Sequence, residues 1–370
     1  MTAPVRCRLR DLGVAVGRLP AGPLNAITDV PGVRVGHCTV SWGGPDLPSG
    51  SGPARTGVTA IFPHEGRPWD EPVYAGVHIL NGYGETIGVN HLAEWGLLMT
   101  PIVLTSTAQI GKAYDAALRW AAAVDDHGAR EIMPVVTECD DGYLNDTLSF
   151  PLTGTHVAAA LDSAVEGDVE EGCIGAGVGM QCFDFKGGIG TASRLLPPEA
   201  GGFTVGVLVL TNHGARSELL IAGVPVGRDL TDLMPGEHRE GSCIVVVATD
   251  APLLPHQLRR MAVRAGMGLA RGGSSASNGS GEQMLAFSTA NRLTMLGGRV
   301  VEVRTVADGV ERDPWVISTL FQAVVEATEE AVVNALFAAT TVVGRDGHVL
   351  HALPVDRVLD VLERHGRLAG

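Results

Sequence analysis

Lysine is almost missing from this chain: of its 27 basic residues only Lys112 and Lys186 are lysines, and the arginines are scattered. Set against 41 acidic residues they leave a formal charge of −14. A chain with that balance and no basic stripe is not expected to bind nucleic acid or an anionic membrane. Cysteine is sparse too. Cys7, Cys38, Cys139, Cys173, Cys182 and Cys243 form no C-x-x-C pair and keep no regular spacing, so they read as free thiols of a reducing compartment. The first residues lack the apolar core of a signal peptide, and no stretch reaches membrane-spanning length without glycine or charge. Together these absences predict a cytoplasmic protein. H-E-x-x-H does not occur and the twelve histidines show no ligand spacing, so no metal is expected.

Two nucleotide motifs are also missing, although glycine is abundant. Residues 172–194, G-C-I-G-A-G-V-G-M-Q-C-F-D-F-K-G-G-I-G-T-A-S-R, place glycine at 175, 177 and 179. A dinucleotide fingerprint needs G-x-G-x-x-G, and Met180 stands where its third glycine belongs. Lys186 is followed by glycines rather than preceded by the spacing of a phosphate loop. No cofactor is expected.

What the chain does have is apolar residue, 45% of it, enough for a sizeable core in its 370 residues. Strand-like runs at 57–63, 102–104, 132–137, 205–211, 244–247 and 284–287 alternate with helical periodicity over 107–124, 156–165, 255–270, 315–337 and 355–364. Asp313 and Pro314 have the chemistry of an N-cap and first helical residue for the fourth of these helices. Residues 25–37 read as edge strands around a tight turn, and 43–56 as a mobile polar loop. The mixed order, with helices long enough to cover two faces of sheet, predicts a single domain of layered α/β sandwich type over residues 1–370.

One bond organises the rest. Gly241-Ser242 immediately precedes the run Ile244, Val245, Val246, Val247, whose β-branched content suits a buried strand and places the Ser242 hydroxyl at its leading edge. Gly241 leaves the preceding carbonyl uncrowded, so that a neighbouring hydroxyl can attack it. After the 255–270 helix a loop of small residues carries Ser280 and Glu282 into the next strand. Strand, helix, strand is a crossover unit, and neighbouring strands bring Ser280 and Glu282 toward Ser242 as a proton relay for a nucleophilic serine.

The segments G-S-C-I-V-V-V-A-T-D-A-P-L, N-G-S-G-E and A-F-S-T-A-N resemble the P1 family of serine aminopeptidases, the group of the L-aminopeptidase D-alanine-esterase/amidase and the β-peptidyl aminopeptidases. The resemblance extends from about residue 10 to 337. It implies an αββα sandwich like that of the N-terminal nucleophile hydrolases with different strand connectivity. It implies further a precursor that cuts its own Gly241-Ser242 bond into residues 1–241 and 242–370, and a homo-oligomer of cleaved heterodimers. Ser242 matches the nucleophile, and Ser280 and Glu282 match its partners. The base is then either Glu282 through Ser280 or the new α-amine of Ser242, which titrates near pH 8. The expected substrates are short peptides, amino-acid amides or esters.

The resemblance also gives meaning to residues that alone read as turns. Asn212 ends the 205–211 strand and is the candidate oxyanion donor. Tyr143, in D-G-Y-L-N-D, is placed to contact the reacting carbonyl or its serine. An aminopeptidase must hold a substrate ammonium, and the segment 138–146 carries Glu138, Asp140, Asp141 and Asp146; of these Asp141 is the expected anchor. Glu85 is the reserve, presented with Asn81 by the glycine-rich turn 80–88. Two alternatives stand beside this reading: an acyltransferase of the ornithine acetyltransferase type, a group that uses threonine where this chain has Ser242, and an uncleaved small-molecule binding protein. Cys243 is expected to point to the opposite face of its strand from Ser242.

Overall fold

β-Branched and small apolar residues fill the strand-forming runs, and those runs are buried on both faces, as sheets covered twice require. The computed structural model describes residues 7–125, 132–237, 241–294, 300–309 and 315–368. In chain order the elements are β1 Arg34–Trp42, β2 Ala54–Phe62, β3 Val73–Ile79, β4 Thr86–Ile87, α1 Val89–Trp95, β5 Leu97–Leu98, β6 Ile102–Ser106, α2 Ile110–Val124, β7 Val135–Cys139 and α3 Gly154–Asp162. There follow β8 Gln181–Cys182, β9 Phe185–Lys186, β10 Gly188–Leu195, β11 Thr204–Asn212, α4 Val226–Asp229, β12 Ser242–Thr249, α5 Pro255–Arg271, β13 Gly281–Arg292, α6 Val316–Ala338 and α7 Val355–Arg364.

Two sheets stack face to face. One has the order β1-β2-β6-β7-β4 and the other β10-β11-β12-β13-β3-β5. Ile61, Leu104, Val135, Leu208, Leu210, Ile244, Val246 and Leu285 fill the space between them. The outer face of the first sheet packs Val58 and Phe62 against Ala113 and Ala117 of α2 and Val157 of α3. That of the second packs Val245, Val247 and Met284 against Met261 and Ala265 of α5 and Val324 and Ala327 of α6. The result is the expected αββα sandwich. Residues 244–247 are 1% exposed or less, and burying each such side chain stabilises the fold by roughly 1.5–3 kcal/mol, so β12 is fixed firmly behind Ser242.

β12, α5 and β13 form the expected crossover, with β12 parallel to β13 and antiparallel to β11. The alternation of side chains sends Ile244 and Val246 between the sheets and Cys243 toward the helices, as expected for that cysteine.

Three stretches refine the local reading. The glycine-rich 172–194 segment ends in an eight-residue strand, β10, because α6 lies directly on it: a Cβ at Gly190 would come within 2.0 Å of the Ala331 carbonyl oxygen. Residues 25–37 hold the expected tight turn and open the expected edge strand, β1, paired along its nine residues with β2, while Ile27–Asp29 before the turn is a short 3-10 helix rather than a strand. The 43–56 loop is tied down, since Asp146 Oδ2 accepts the Gly50 and Gly52 N–H groups at 2.7 and 2.9 Å. Asp313 and Pro314 lie outside the described residues; α6 runs from Val316. No helix among the described residues is long and apolar enough to cross a membrane.

Candidate active site

Four strand ends meet at one edge of the sandwich: the carboxyl ends of β7 and β11 and the amino ends of β12 and β13. Register places Ser242 between Asn212 on β11 and Gly281 on β13. The Gly281 N–H donates to the Gly241 carbonyl oxygen at 3.1 Å. Gly241 itself presses on β11, where an added Cβ would lie 1.6 Å from the Asn212 carbonyl oxygen. Its φ is not in the left-handed region. Glycine is therefore required here by close approach of two backbones rather than by conformation.

The Gly241 backbone separates two spaces. In front lies an open cleft of about 470 Å³ lined by Ser242, Gly279, Glu138, Asp140, Thr107 and the 82–85 turn. Behind, on the helical side, is a small pocket of about 10 Å³, close to the room one water needs, lined by Ser280, Glu282, Glu218 and residues 274–277. Among the described residues only Gly241 borders both. The Ser280 hydroxyl donates to Glu282 Oε1, and both residues are buried. Burial raises the Glu282 pKa above the usual carboxylate range, with the Ser280 hydrogen bond opposing it. The structure thus brings Ser280 and Glu282 together and to the Gly241-Ser242 bond, but on the side of the peptide away from the Ser242 hydroxyl.

Asn212 lies beside Ser242 and is braced at both ends of its amide. Its Oδ1 accepts the Gln181 N–H at 2.9 Å and its Nδ2 donates to the Asp140 carbonyl at 2.8 Å. The Nδ2 atom would lie 3.1 Å from a Cβ on Gly241, so the amide sits at the Gly241-Ser242 peptide. Tyr143 is buried and stacks on His348 with ring centroids 4.5 Å apart. Its hydroxyl accepts the Gly236 N–H at 3.0 Å, which connects Tyr143 to the segment leading into Gly241 rather than to Ser242.

The acidic segment divides, and not as expected. Asp141 is fully buried and does not line the cleft; its Oδ1 accepts from Ser106 Oγ at 2.8 Å and Asn145 Nδ2 at 3.0 Å. Burial pushes its pKa up to about 7. Glu138 and Asp140 line the cleft instead. Glu138 accepts the Glu85 N–H at 2.8 Å and the Thr107 hydroxyl. Burial raises its pKa, and Asp140 and Glu85 add repulsion that those hydrogen bonds oppose. Glu85 lines the same cleft with an exposed side chain. Asn81 does not: its amide donates to the Ser277 carbonyl at 2.6 Å and holds the loop that carries Ser280.

Glu138 and Asp140 were the residues that sequence reasoning passed over. One signal pointed to Glu138: it closes a β-branched run that pairs parallel with β6, and the carboxyl ends of parallel strands are where open sheets present functional groups. What the arrangement can do is hold a cation in front of Ser242 and move a proton behind it. Among the described residues no group of three or more histidine, cysteine, aspartate or glutamate side chains is placed to hold a metal ion.

Comparison with known proteins agrees with this geometry. The sequence profile of peptidase family S58 matches residues 25–350. The chain is 43% identical to the β-peptidyl aminopeptidase BapA of Sphingosinicella microcystinivorans, over 98% of this chain and 93% of that one. Among solved structures it is similar to a Burkholderia sp. β-aminopeptidase, with TM-score 0.89 and 44% identity over 97% of this chain and 99% of that one. It is similar also to the L-aminopeptidase D-Ala-esterase/amidase of Ochrobactrum anthropi, a variant among the Ntn hydrolase fold, with TM-score 0.89 and 44% identity over 98% and 99%.

Proposed function

The chain belongs to peptidase family S58 and is a serine aminopeptidase, and from that premise we propose that it matures by cutting its own Gly241-Ser242 bond and then removes N-terminal residues from short peptides, amino-acid amides or esters. The observation that carries the reading is the scissile peptide itself. It has a hydroxyl on its nitrogen side, an N–H on its carbonyl oxygen and a buried serine–carboxylate pair behind it.

In the first step Ser242 Oγ attacks the Gly241 carbonyl carbon. Gly281 N–H, and Asn212 Nδ2 beside it, take up the charge developing on the oxygen; such donors contribute a few kcal/mol each. The Oγ proton ends on the departing nitrogen, which becomes the α-amine, and Gly241 is left as an ester. A water in the rear pocket, giving its proton to the Ser280–Glu282 pair, hydrolyses that ester. The raised pKa of Glu282 makes it a better base than an ordinary carboxylate.

Loss of the covalent link removes the partition between the two spaces. The freed Ser242 can then turn to Ser280, whose bond to Glu282 passes on the hydroxyl proton when a substrate is attacked from the front cleft. The substrate ammonium is held by Glu138, with Asp140 and Glu85 adding negative potential. A buried carboxylate with a raised pKa gains most from a cation brought beside it. Tyr143 acts on the precursor by holding the segment around Gly236.

The six cysteines are free thiols, which supports a reducing, cytoplasmic setting, and family relationship supports a homo-oligomer of cleaved heterodimers. Each named relative that carries an activity is an aminopeptidase, so acyl transfer and ligand binding without cleavage are the weaker readings. Mass spectrometry of purified protein tests the proposal. Two chains are expected, the smaller beginning Ser-Cys-Ile-Val, whereas Ser242→Ala should stay intact at 38.5 kDa and inactive. An intact wild-type chain that hydrolyses an alanine amide overturns self-maturation.

A further inference from the structure

Two buried cations hold a hairpin that the peptidase chemistry leaves unexplained. Residues 181–186 reverse direction through Phe183 and Asp184, with φ of 49° and 59°, a region that side chains other than glycine rarely occupy. The two-residue strands β8 and β9 are too short to impose that turn alone. Arg216 holds its tip: the backbone N–H donates to Asp184 Oδ2 at 2.8 Å, and the guanidinium donates to the Phe183 and Asp184 carbonyls at 3.0 and 2.8 Å. Lys186 holds its base. The side chain is fully buried, and Nζ donates to the carbonyls of Gly177, Met180 and Gly187, each at 2.8 Å. Burial lowers the Lys186 pKa, and the three carbonyl acceptors oppose that by meeting the three N–H donors of an ammonium.

The hairpin reaches the Asn212 side chain through the Gln181 N–H. Met180, whose carbonyl Lys186 binds, precedes Gln181, whose N–H meets Asn212 Oδ1. That contact decides which end of the Asn212 amide carries the oxygen. With Oδ1 on Gln181, Nδ2 faces the Asp140 carbonyl and the Gly241 peptide. A flipped amide would set N–H against N–H at one end and oxygen against oxygen at the other.

We infer that Lys186 is a positioning residue for the reaction: by pinning Met180 and Gly187 it fixes the Gln181 N–H that aims the Asn212 amide at the reacting carbonyl. The inference rests on Asn212 being the oxyanion donor, and a double-mutant cycle separates the two claims. The cycle is read as kcat and KM of cleaved enzyme, and as the first-order cleavage rate for any variant that stays intact. Asn212→Ala should lower kcat about a hundred- to a thousandfold. Lys186→Met should lower it roughly ten- to a hundredfold with KM within about threefold, and by less than about threefold when added to Asn212→Ala. A folded Lys186→Met enzyme with wild-type kcat, or losses that multiply in the double variant, overturns the role of Lys186 and leaves that of Asn212 standing. Wild-type kcat in Asn212→Ala removes the oxyanion reading itself. Should Lys186→Met not fold, Lys186→Arg keeps the charge and carries the same cycle, its smaller loss again vanishing without the Asn212 amide.

Discussion

Within the nine residues 138–146, two carboxylates face the cleft and two face the protein. Glu138 and Asp140 line the cleft before Ser242, Glu138 with the Glu85 N–H on one oxygen and the Thr107 hydroxyl on the other, whereas Asp141 and Asp146 are enclosed and accept N–H and O–H groups from Ser106, Asn145, Gly50 and Gly52. The same chemical group thus lines an open cleft on one side of the chain and braces loops on the other. The difference is made by the strand end and the turn after it, not by residue type. What separates the two pairs is access: a carboxylate on the cleft wall can meet a cation brought into the cleft, and one enclosed by protein cannot.

The comparison breaks most directly on the outward pair. Glu138→Gln should lower kcat/KM for free-amine substrates about a hundred- to a thousandfold, mainly through KM, and leave the already poor N-acetylated substrates unchanged. Steady-state kinetics on an alanine amide and its acetylated form checks this. An equal loss in Asp141→Asn would erase the distinction.

The inward pair should answer to stability instead. Asp141→Asn should keep KM within about threefold and destabilise the fold by about 1–3 kcal/mol, because the new amide N–H replaces an oxygen that has no donor to meet. Its pH dependence sharpens the test. The native pKa is raised to about 7 from an unfolded value near ~3.9, so the native state binds the proton more tightly. The associated stability is complete below about pH 4, is lost as pH rises toward 7, and amounts to at most on the order of 4 kcal/mol. The deficit of Asp141→Asn relative to wild type, measured by urea melts, should therefore shrink between pH 4 and pH 8. A constant deficit would mean that Asp141 is ionised in the fold.

The smallest effect is expected at Tyr143, which holds the segment leading toward Gly241. Tyr143→Phe removes the acceptor of the Gly236 N–H and should slow self-cleavage a few fold, with turnover of the cleaved enzyme within about twofold. Timed gels of freshly translated protein read the first quantity. A large loss of turnover would move Tyr143 to the reacting atoms.

Much of this was open to reading from the chain. The β-branched run 244–247, the helix after it and the loop with Ser280 and Glu282 are local patterns, and they assembled as local patterns do. The αββα layering followed from the resemblance and from the alternation of elements. What escaped depends on contacts distant in sequence. β10 is hidden because its glycines answer to α6, which follows more than a hundred residues later. Asp141 was chosen over Glu138 because sequence shows a cluster of charge and not which member turns inward. The side of the peptide on which Ser280 and Glu282 lie is likewise a matter of strand register.

Sheet order carries one more consequence. Residues 242–370 supply β12 and β13, which lie in the middle of the six-stranded sheet, with β11 on one flank and β3 on the other, both from residues 1–241. After a cut at Gly241 the smaller chain is a wedge driven through the larger one, and it can leave only if two ladders open together. Assembly and disassembly then stop being the same path in two directions. The intact chain folds with its parts tethered, at the modest entropy of closing a loop. The cut protein, once unfolded, would have to reunite two separate molecules around a sheet with no centre. Maturation would convert a reversible fold into one that is made once, so that the working life of the enzyme is set by how slowly it opens rather than by how favourably it closes.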